Sequence, residues 1–233
     1  MKIYASSKIN LCLDILRKTD SGYHEIRTIL HETDKFKNEI EINEVEAEKN
    51  LSDKNSLAHK AYILLKYKYN LKRAVEIEIK RNIPPASGLG GESSSAAAVL
   101  KYLNELWELG LTTEDLLELG AKLGMDVPFF IIGGTALGTN FGEKITPLPH
   151  IELPLEIVLQ KSIDPQKTKH AYELLNLDLC GRNTERTDNL IKALHQKNKE
   201  GITKNLHNDF ETITPSPEGY HLSGSGPSYF KIF

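Results

Sequence analysis

The residues best suited to chemistry lie in a glycine- and serine-rich stretch over 83–100. Gly88, Gly90 and Gly91 can adopt positive φ angles, and they let a ligand approach the backbone without meeting a Cβ atom. The serines at 93–95 are good N-cap residues and precede an alanine-rich segment, which predicts that a helix begins there. The first turn of a helix offers free N–H donors and a positive dipole end. Loop and helix together predict a binding site for phosphate.

This stretch matches neither of two common phosphate-binding signatures. No Gly-Lys-Ser/Thr follows the glycines, so it is not a Walker A loop, and Ser93 stands where the dinucleotide-binding fingerprint has its third glycine. The alternative interpretation is an ordinary glycine-rich turn capped by serine. Three glycines and three serines before a helix of small residues favour anion binding over that alternative.

Two charged residues outside this loop are candidates for catalysis. Asp126 is predicted at the end of a helix among apolar neighbours, just before Pro128. Burial raises the pKa of a carboxyl group and can make it a base, whereas the alternative for Asp126 is a local turn hydrogen bond. Lys8 is predicted on a strand, on the face opposite Ile9, where a solvated lysine is equally expected.

The spacing of apolar residues predicts the elements that must position these groups. Strands are predicted over 3–16, 23–33, 37–45, 75–83 and 155–160, with a strand–turn–strand over 131–143. Helices are predicted over 55–69, from the serines at 93–95 to a stop at Gly110, and over 112–124, 167–175, 188–195 and 202–210. A second small glycine loop at 222–228 leads into a last strand, and three prolines within 147–154 mark a candidate boundary between two lobes.

Size and composition are those of an ordinary soluble globular protein, with 233 residues of which 39% are hydrophobic and 26% charged. This length fits one large domain or two small lobes. The net charge of −3 and the pI near 6.3 argue against sequence-independent binding of nucleic acid. An anionic ligand must therefore be met by local lysines and backbone N–H groups.

The cysteines and the hydropathy indicate the compartment. Cys12 and Cys180 are far apart in the chain, match no metal-binding spacing and are typical of reduced thiols. No stretch is long or apolar enough to span a bilayer, and the N-terminus lacks the apolar region of a signal peptide. We therefore expect a cytoplasmic protein.

Several segments, in order along the chain, resemble the motifs of the GHMP kinase superfamily, and most closely its 4-diphosphocytidyl-2-C-methyl-D-erythritol kinases. They are Lys8–Leu11 with Gly22–Glu25, Pro84–Ser94, Asp126–Phe130 with Gly142 and Glu143, and Ser223–Pro227. The resemblance implies an α+β, two-lobed GHMP kinase fold. Its N-terminal lobe, over 1–152, would resemble domain 2 of ribosomal protein S5, and an abbreviated ferredoxin-like lobe would cover 153–233.

The resemblance also implies a role for each matching residue. Asp126 would take the proton from the methylerythritol 2-hydroxyl, and Lys8 would lie beside it and stabilise charge on the attacking oxygen. Tyr23 would stack on the cytosine, His24 would bond its edge with Asn10 nearby, and Thr168 and Tyr172 would lie beside the substrate. Asn55 would line the adenine pocket. The ATP phosphates would be held by Pro84, Pro85, Ala86, Ser87, Gly88, Leu89, Gly90, Gly91, Glu92, Ser93 and Ser94.

The implied function is phosphorylation of the 2-hydroxyl of 4-diphosphocytidyl-2-C-methyl-D-erythritol by ATP with Mg²⁺, in non-mevalonate isoprenoid biosynthesis. Its partners would be these small molecules, with no nucleic acid and no membrane, and the shortened C-terminal lobe raises the hypothesis of a homodimer. No metal ligands are indicated by the sequence. Another GHMP kinase, acting on mevalonate or a homoserine-like alcohol, is an alternative. A nucleotide-binding homologue without catalysis is another.

Two positions depart from the family pattern. Glu92 stands where the family has glycine, and a carboxylate beside a triphosphate repels it unless it points outward or binds Mg²⁺. We expect this side chain to point away. Ser95 replaces the usual Asp or Asn, a mild change at a helix N-terminus.

Among the alternative substrates, Tyr23 and His24 favour one that carries a base over mevalonate or a homoserine-like alcohol.

Overall fold

The computed structural model describes residues 1–46, 55–164 and 166–233, and the chain divides into two compact units. The first unit comprises Met1–Ser7, Asp34–Ile83 and Gly90–Ile132. The second comprises Lys8–Thr33, Pro84–Leu89 and Gly133–Phe233. The lobe boundary expected after residue 152 concerns a different division of the chain and stays a prediction.

The described residues form nine strands and seven α-helices. The strands are β1 (Lys2–Lys18), β2 (His24–Val45), β3 (Ala74–Lys80), β4 (Thr135–Thr139), β5 (Lys144–Leu148), β6 (Leu155–Val158), β7 (His207–Asn208), β8 (His221–Leu222) and β9 (Tyr229–Ile232). The helices are α1 (Leu57–Lys68), α2 (Gly91–Leu106), α3 (Thr113–Leu123), α4 (Val127–Ile132), α5 (Lys167–Leu174), α6 (Thr184–His195) and α7 (Lys199–Lys204). The predicted helices over 55–69, 112–124 and 167–175 are confirmed to within two residues.

The first unit holds α1 to α4 and pairs the second half of β2 with β3. This pairing is antiparallel and runs from Glu39 opposite Lys80 to Val45 opposite Ala74. The apolar face predicted for α2 is largely buried, because Ala96, Val99, Leu100, Leu103 and Trp107 are all at most 6% exposed. At the start of α3, the Thr112 side chain accepts from the Asp115 N–H and the Asp115 side chain accepts from the Thr112 N–H, the predicted capping box.

The predicted start and end of α2 were wrong. The helix begins at Gly91, and its N-cap is Gly90 in the left-handed region at φ 75°. The serines therefore lie inside the first turn, where the Ser94 and Ser95 hydroxyls donate to the Gly91 carbonyl. The helix ends at Leu106, before Gly110. A glycine can supply the left-handed cap that a serine adopts only with strain.

The second unit contains two sheets. In the first, the strand order is β5-β4-β2-β1-β7, with β4 antiparallel to β2 and β7 parallel to β1 through Cys12 opposite His207. The second sheet has the order β6-β9-β8. The apolar face predicted for the first strand is buried in full, as are Cys12 and Asp14 on its other face. Strand β1 is therefore covered on both sides.

Other predicted elements were wrong in part. The helix expected over 202–210 is α7, which stops at Lys204 and is followed by β7 and a 3₁₀ turn at Asp209–Thr212. Asn208 explains the break, because its side chain accepts from the Phe210 N–H and donates to the Leu222 and Gly224 carbonyls. The strands expected over 23–33 and 37–45 are one strand, β2, and the first part of 131–143 is helical.

Within the described residues, no helix is long and apolar enough to cross a membrane. Cys12 is a buried free thiol and Cys180 a partly buried one. Burial raises the pKa of the Cys12 thiol to about 12, which keeps it protonated and unreactive.

A buried histidine in the second unit makes the free energy of unfolding depend on pH. His31 is 3% exposed, its Nδ1 lies 2.8 Å from Thr135 Oγ1, and its ring stacks on His150 with centroids 4.8 Å apart. Burial, with a smaller contribution from His150, lowers the pKa of His31 to about 3. The unfolded chain, with an ordinary histidine pKa near 6.5, then binds more protons than the folded chain as pH falls from about 6.5 toward 3.

We therefore expect His31 to make the free energy of unfolding fall by up to about 1.4 kcal/mol per pH unit within that window. His31→Gln keeps a hydrogen-bonding group near Thr135 but does not titrate, so it should flatten this slope. Urea unfolding at pH 6.5, 5.5 and 4.5 measures it. The exposed His195→Gln is the matched control, and equal slopes for His31→Gln and the parent would contradict the assignment.

Candidate active site

The first part of the predicted phosphate loop is locked to the second glycine loop within the second unit. Ala86 and Gly88 have φ angles of 53° and 84°. The Ser223 hydroxyl donates to the Gly88 carbonyl at 2.9 Å, and the Ser228 N–H donates to the Ser87 carbonyl at 3.1 Å. A Cβ on Gly88 would lie 2.2 Å from the Ser223 carbonyl oxygen. Only glycine fits here, both for its φ angle and for this close approach.

The hydroxyl of Ser87, in the same loop, is buried. Ser87 is 2% exposed, and its hydroxyl has no hydrogen-bond partner in the part of the chain that the structure describes. A buried hydroxyl without a partner is costly, because desolvation of the group is not compensated. A phosphate oxygen would satisfy it.

Lys8 is buried, which contradicts the alternative that it is a solvated lysine on a strand. It is 3% exposed, and its N–H donates to the Leu89 carbonyl at 3.0 Å. Its ammonium donates to Asn10 Oδ1 at 2.6 Å, and Asn10 Nδ2 donates to Thr28 Oγ1 at 2.8 Å. The Thr28 hydroxyl in turn donates to a β1 carbonyl, that of Cys12. This chain of bonds fixes the amide of Asn10 with its oxygen toward the ammonium.

The second glycine loop reaches the same ammonium. Gly224 has a φ of 55°, and a Cβ placed on it would lie 3.2 Å from Lys8 Nζ and 3.6 Å from Asn10 Oδ1. On its other side, the loop meets α5, where the Thr168 and Ser225 hydroxyls are 3.1 Å apart and the Lys167 ammonium donates to the Ser225 carbonyl. The loop therefore joins Lys8 and Asn10 to Thr168.

Aromatic side chains form the next part of the second unit. His24 stacks on Tyr172 with ring centroids 4.7 Å apart and planes 19° from parallel. Phe210 supports Tyr172 edge-on at 4.9 Å. Tyr23 is 56% exposed, and its ring centroid lies 5.4 Å from that of Phe141. Partial burial, and secondarily Lys18, lowers the pKa of His24, so the neutral imidazole is favoured.

In the first unit, Glu92 is bound to its own surroundings. Its carboxylate accepts from Arg81 Nε at 2.9 Å and from the Leu57 N–H, at the start of α1, at 3.3 Å. Asn55 is exposed and lies just before Ser56, the N-cap of α1. Arg81 therefore neutralises the charge of Glu92. The bond from Glu92 to the Leu57 N–H connects the start of α2 to the segment that carries Asn55.

Asp126 lies in the short connection between α3 and α4. Gly124 ends α3, and the Asp126 carbonyl accepts from the Phe130 N–H at 3.5 Å as α4 begins. Its side chain is partly buried. The sequence predicted the helix exit but not that a second helix starts immediately after it.

The second unit thus brings together Lys8, Asn10, His24, Thr168, Tyr172 and the loop at Pro84–Leu89. Asp126, Asn55 and the residues from Gly90 to Ser94 belong to the first unit and are described within it. Across residues 1–46, 55–164 and 166–233, no group of three or more His, Cys, Asp or Glu side chains could hold a metal ion.

Sequence reasoning missed the residues that hold the site residues in place. Thr28 fixes Asn10, Arg81 neutralises Glu92, and Lys167 bonds the second glycine loop. Arg81 lies 11 residues before Glu92, and Thr28 lies 18 residues after Asn10. Lys167 bonds a main-chain acceptor, the Ser225 carbonyl, 58 residues away. No local pattern marks such residues. The one available signal was the Ser-Gly-Ser-Gly motif at 223–226, which indicated a loop but not its contacts.

Comparison with known proteins finds relatives along the whole chain. A sequence model of the N-terminal domain of GHMP kinases matches residues 56–134. The 4-diphosphocytidyl-2-C-methyl-D-erythritol kinase of Caldicellulosiruptor bescii is 36% identical over 258 residues, covering 100% of this chain and 89% of the relative. The kinase of the same name from Shouchella clausii is 38% identical over 256 residues, covering 99% of this chain and 84% of the relative.

A solved structure is also similar. A crystal structure of 4-(cytidine 5′-diphospho)-2C-methyl-D-erythritol kinase superposes with a TM-score of 0.81 at 25% identity, covering 100% of this chain and 90% of that one. The predicted α+β GHMP kinase fold is thereby confirmed. The alignment with the Caldicellulosiruptor bescii protein is longer than the 233 residues of this chain, so that relative carries residues with no counterpart here. Their place in the C-terminal lobe stays a prediction.

Gly88→Ala should destabilise the protein because a methyl group would meet the Ser223 carbonyl oxygen. Gly110→Ala is the matched control, since Gly110 also has a positive φ, of 66°, but a Cβ there meets nothing within 4 Å. The control should cost about 1–2 kcal/mol from backbone strain alone. We expect Gly88→Ala to cost at least about 2 kcal/mol more in urea unfolding. Equal losses would show that the two glycine loops are not locked as described.

Proposed function

The chain belongs to the family of 4-diphosphocytidyl-2-C-methyl-D-erythritol kinases within the GHMP kinases, and we propose that it phosphorylates the 2-hydroxyl of the compound for which those relatives are named. As a member of this family it is an ATP-dependent small-molecule kinase of isoprenoid precursor biosynthesis. The observation that carries the substrate is the similarity to kinases of that name over the whole chain. The local geometry of each unit supports it.

The proposed mechanism relies on positioning and on neutralisation of charge, which is what phosphoryl transfer chiefly requires. The 2-hydroxyl oxygen attacks the γ-phosphorus of ATP, Asp126 accepts the hydroxyl proton, and ADP leaves. Lys8 stabilises the charge that develops on the attacking oxygen. Support for this role is that its ammonium is buried and already held by Asn10 Oδ1, so its position costs no reorganisation during the reaction.

The phosphates of ATP are proposed to bind along 84–94, with adenine beside Asn55. Two observations support this. The N-cap of α2 is Gly90, so no side chain caps the first turn and its N–H groups remain for a ligand. The Ser87 hydroxyl has no partner in the described part of the chain. We propose that ATP enters as its Mg²⁺ complex, whose metal lowers the phosphate charge, since Mg²⁺ binds phosphate oxygens and waters with few protein ligands.

The cytidine of the substrate is proposed to lie with Tyr23, His24 and Tyr172, near Asn10 and Thr168. The stacked pair of His24 and Tyr172 offers the flat surface and the neutral ring nitrogen that a base requires. Mevalonate and homoserine carry no base and gain nothing from such a surface. This distinguishes the proposed substrate from those of the other GHMP kinases. A cytoplasmic location and a homodimer stay parts of the proposal, and no role with nucleic acid is proposed.

Asp126→Asn should lower kcat by two or more orders of magnitude, because it removes the group that accepts the proton and aligns the hydroxyl. ADP release with ATP, Mg²⁺ and 4-diphosphocytidyl-2-C-methyl-D-erythritol measures it. Asp115→Asn is the control, since it changes a carboxylate that only caps α3. Turnover insensitive to Asp126 would keep the reaction and discard this mechanism.

The same assay decides between the alternatives. A parent protein that binds ATP but turns over mevalonate or homoserine instead would be another GHMP kinase. A parent that binds ATP and turns over none of the three alcohols would be a nucleotide-binding homologue without catalysis.

Arg81→Ala should raise the KM for ATP, because it removes the partner that neutralises Glu92 at the start of the phosphate-binding helix. An unpaired carboxylate there repels a triphosphate, and we expect a roughly three- to tenfold increase at low salt that shrinks at 0.5 M salt. The double variant Arg81→Ala with Glu92→Gly should return toward the parent value. Glu92→Gly alone should leave KM for ATP nearly unchanged; a large decrease would mean that Glu92 faces the phosphates.

A further inference from the structure

The start of α5 brings an unassigned cation to the second glycine loop. Lys167 is the first residue of α5, and its ammonium donates to the Ser225 carbonyl oxygen. Thr168, the next residue, bonds the Ser225 hydroxyl. Gly224, the preceding loop residue, lies against Lys8. The contacts of Lys8 and Lys167 therefore fall on two consecutive loop residues, Gly224 and Ser225.

Lys167 has more hydrogen-bonding capacity than the protein uses. A lysine ammonium carries three donors, and Ser225 O is its hydrogen-bond acceptor among residues 1–46, 55–164 and 166–233. The side chain is half-buried, and that burial lowers its pKa, with Asp164 acting weakly in the opposite direction. Asp164 itself is bonded to His170. A half-buried cation with spare donors at the positive end of a helix is unfavourable unless an anion joins it.

The same helix carries Tyr172 about one turn beyond Thr168, the neighbour of Lys167. Tyr172 follows Lys167 by five residues, which is about 7.5 Å along the helix axis but about 140° around it, whereas it follows Thr168 by four residues and lies on the same face as Thr168. Tyr172 stacks on His24, where the cytosine is proposed to lie. In a cytidine diphosphate the ribose separates the base from the diphosphate. Thr168 and Lys167 both bond Ser225, so a base held at the Tyr172 position can direct its diphosphate along the Thr168 face toward Ser225, where the Lys167 ammonium lies.

The other residues proposed for the substrate provide no fixed positive charge for that diphosphate. Asn10, Tyr23, Thr168 and Tyr172 are neutral, and the lowered pKa of His24 favours its neutral form. Lys18 lies near His24 but is exposed at the end of β1, where its charge is screened by salt and water. Lys8 is already assigned to the attacking oxygen.

We propose that Lys167 binds the diphosphate of the cytidylated substrate through its spare ammonium donors. This inference rests on the proposed function and adds a residue that fixes the substrate by its charge. Binding to the ATP phosphates would use the same chemistry, and the tests below separate the two. Lys169→Met is the matched control, because Lys169 is an exposed lysine on the same turn that pairs only at 4.0 Å with Glu173.

Binding of cytidine and of cytidine 5′-diphosphate to the full chain, measured by calorimetry, tests the site directly. The parent and Lys169→Met should bind the diphosphate more tightly than the nucleoside. Lys167→Met should lose roughly ten- to hundredfold in affinity for the diphosphate and little for cytidine, whereas Lys167→Arg should retain part of the preference. Equal weakening toward both ligands would mean that Lys167 only supports the loop, and would overturn the proposal.

Steady-state kinetics give the second readout. Lys167→Met should raise the KM for the cytidylated substrate, with kcat and the KM for ATP nearly unchanged. An increase confined to the KM for ATP would assign Lys167 to the nucleotide and overturn the proposal. A parent that phosphorylates the substrate while Lys167→Met behaves identically would sink this inference and leave the proposed function intact. A parent that neither turns over the substrate nor binds cytidine diphosphate would instead refute the proposed function.

Discussion

The close approach of two backbones, at Gly88 and Ser223, is the constraint on which much of the second unit depends. The Gly88 Cα has room for hydrogen alone because the Ser223 carbonyl oxygen occupies the place of a side chain. The Ser223 hydroxyl then returns to the Gly88 carbonyl, and the Ser228 N–H bonds the carbonyl beside it. Three contacts thus fix one loop against the other. Both loops also contain glycines at positive φ angles, which other residues adopt only with strain.

Polar side chains in this region act mainly by holding one another. Asn10 accepts a hydrogen bond from the Lys8 ammonium and donates one to Thr28, and these bonds fix the position of the ammonium. Within the first unit, Arg81 and Glu92 cancel each other at the entrance to α2. Forming such pairs reduces side-chain entropy and removes water from charged groups. In return, the charges are already positioned before a ligand arrives. They explain how an acidic residue is tolerated in a loop that is proposed to hold phosphates.

The sequence predicted the elements that follow from local patterns and missed those that depend on distant partners. The apolar face of α2 and the capping box of α3 were correct because residues three and four apart decide them. The start of α2 was wrong because the choice between Gly90 and a serine cap depends on how the chain enters the helix. The break after α7 was missed because Asn208 bonds carbonyls 14 and 16 residues away. The candidate loops were recognised as motifs, whereas their lock at Gly88 and the place of Lys167 required the fold.

The distance along the chain between the two locked loops has a consequence for synthesis. Ser223 follows Gly88 by 135 residues, so at usual rates of translation it emerges roughly 7 to 27 seconds later. Throughout that interval the loop at 84–89 lacks the oxygen atoms that define it. Bound nucleotide therefore cannot stabilise the nascent chain through a completed loop, as a ligand stabilises only a state that can bind it. Until Ser223 and Ser228 have been made, the early part of this protein depends on its own helices and strands.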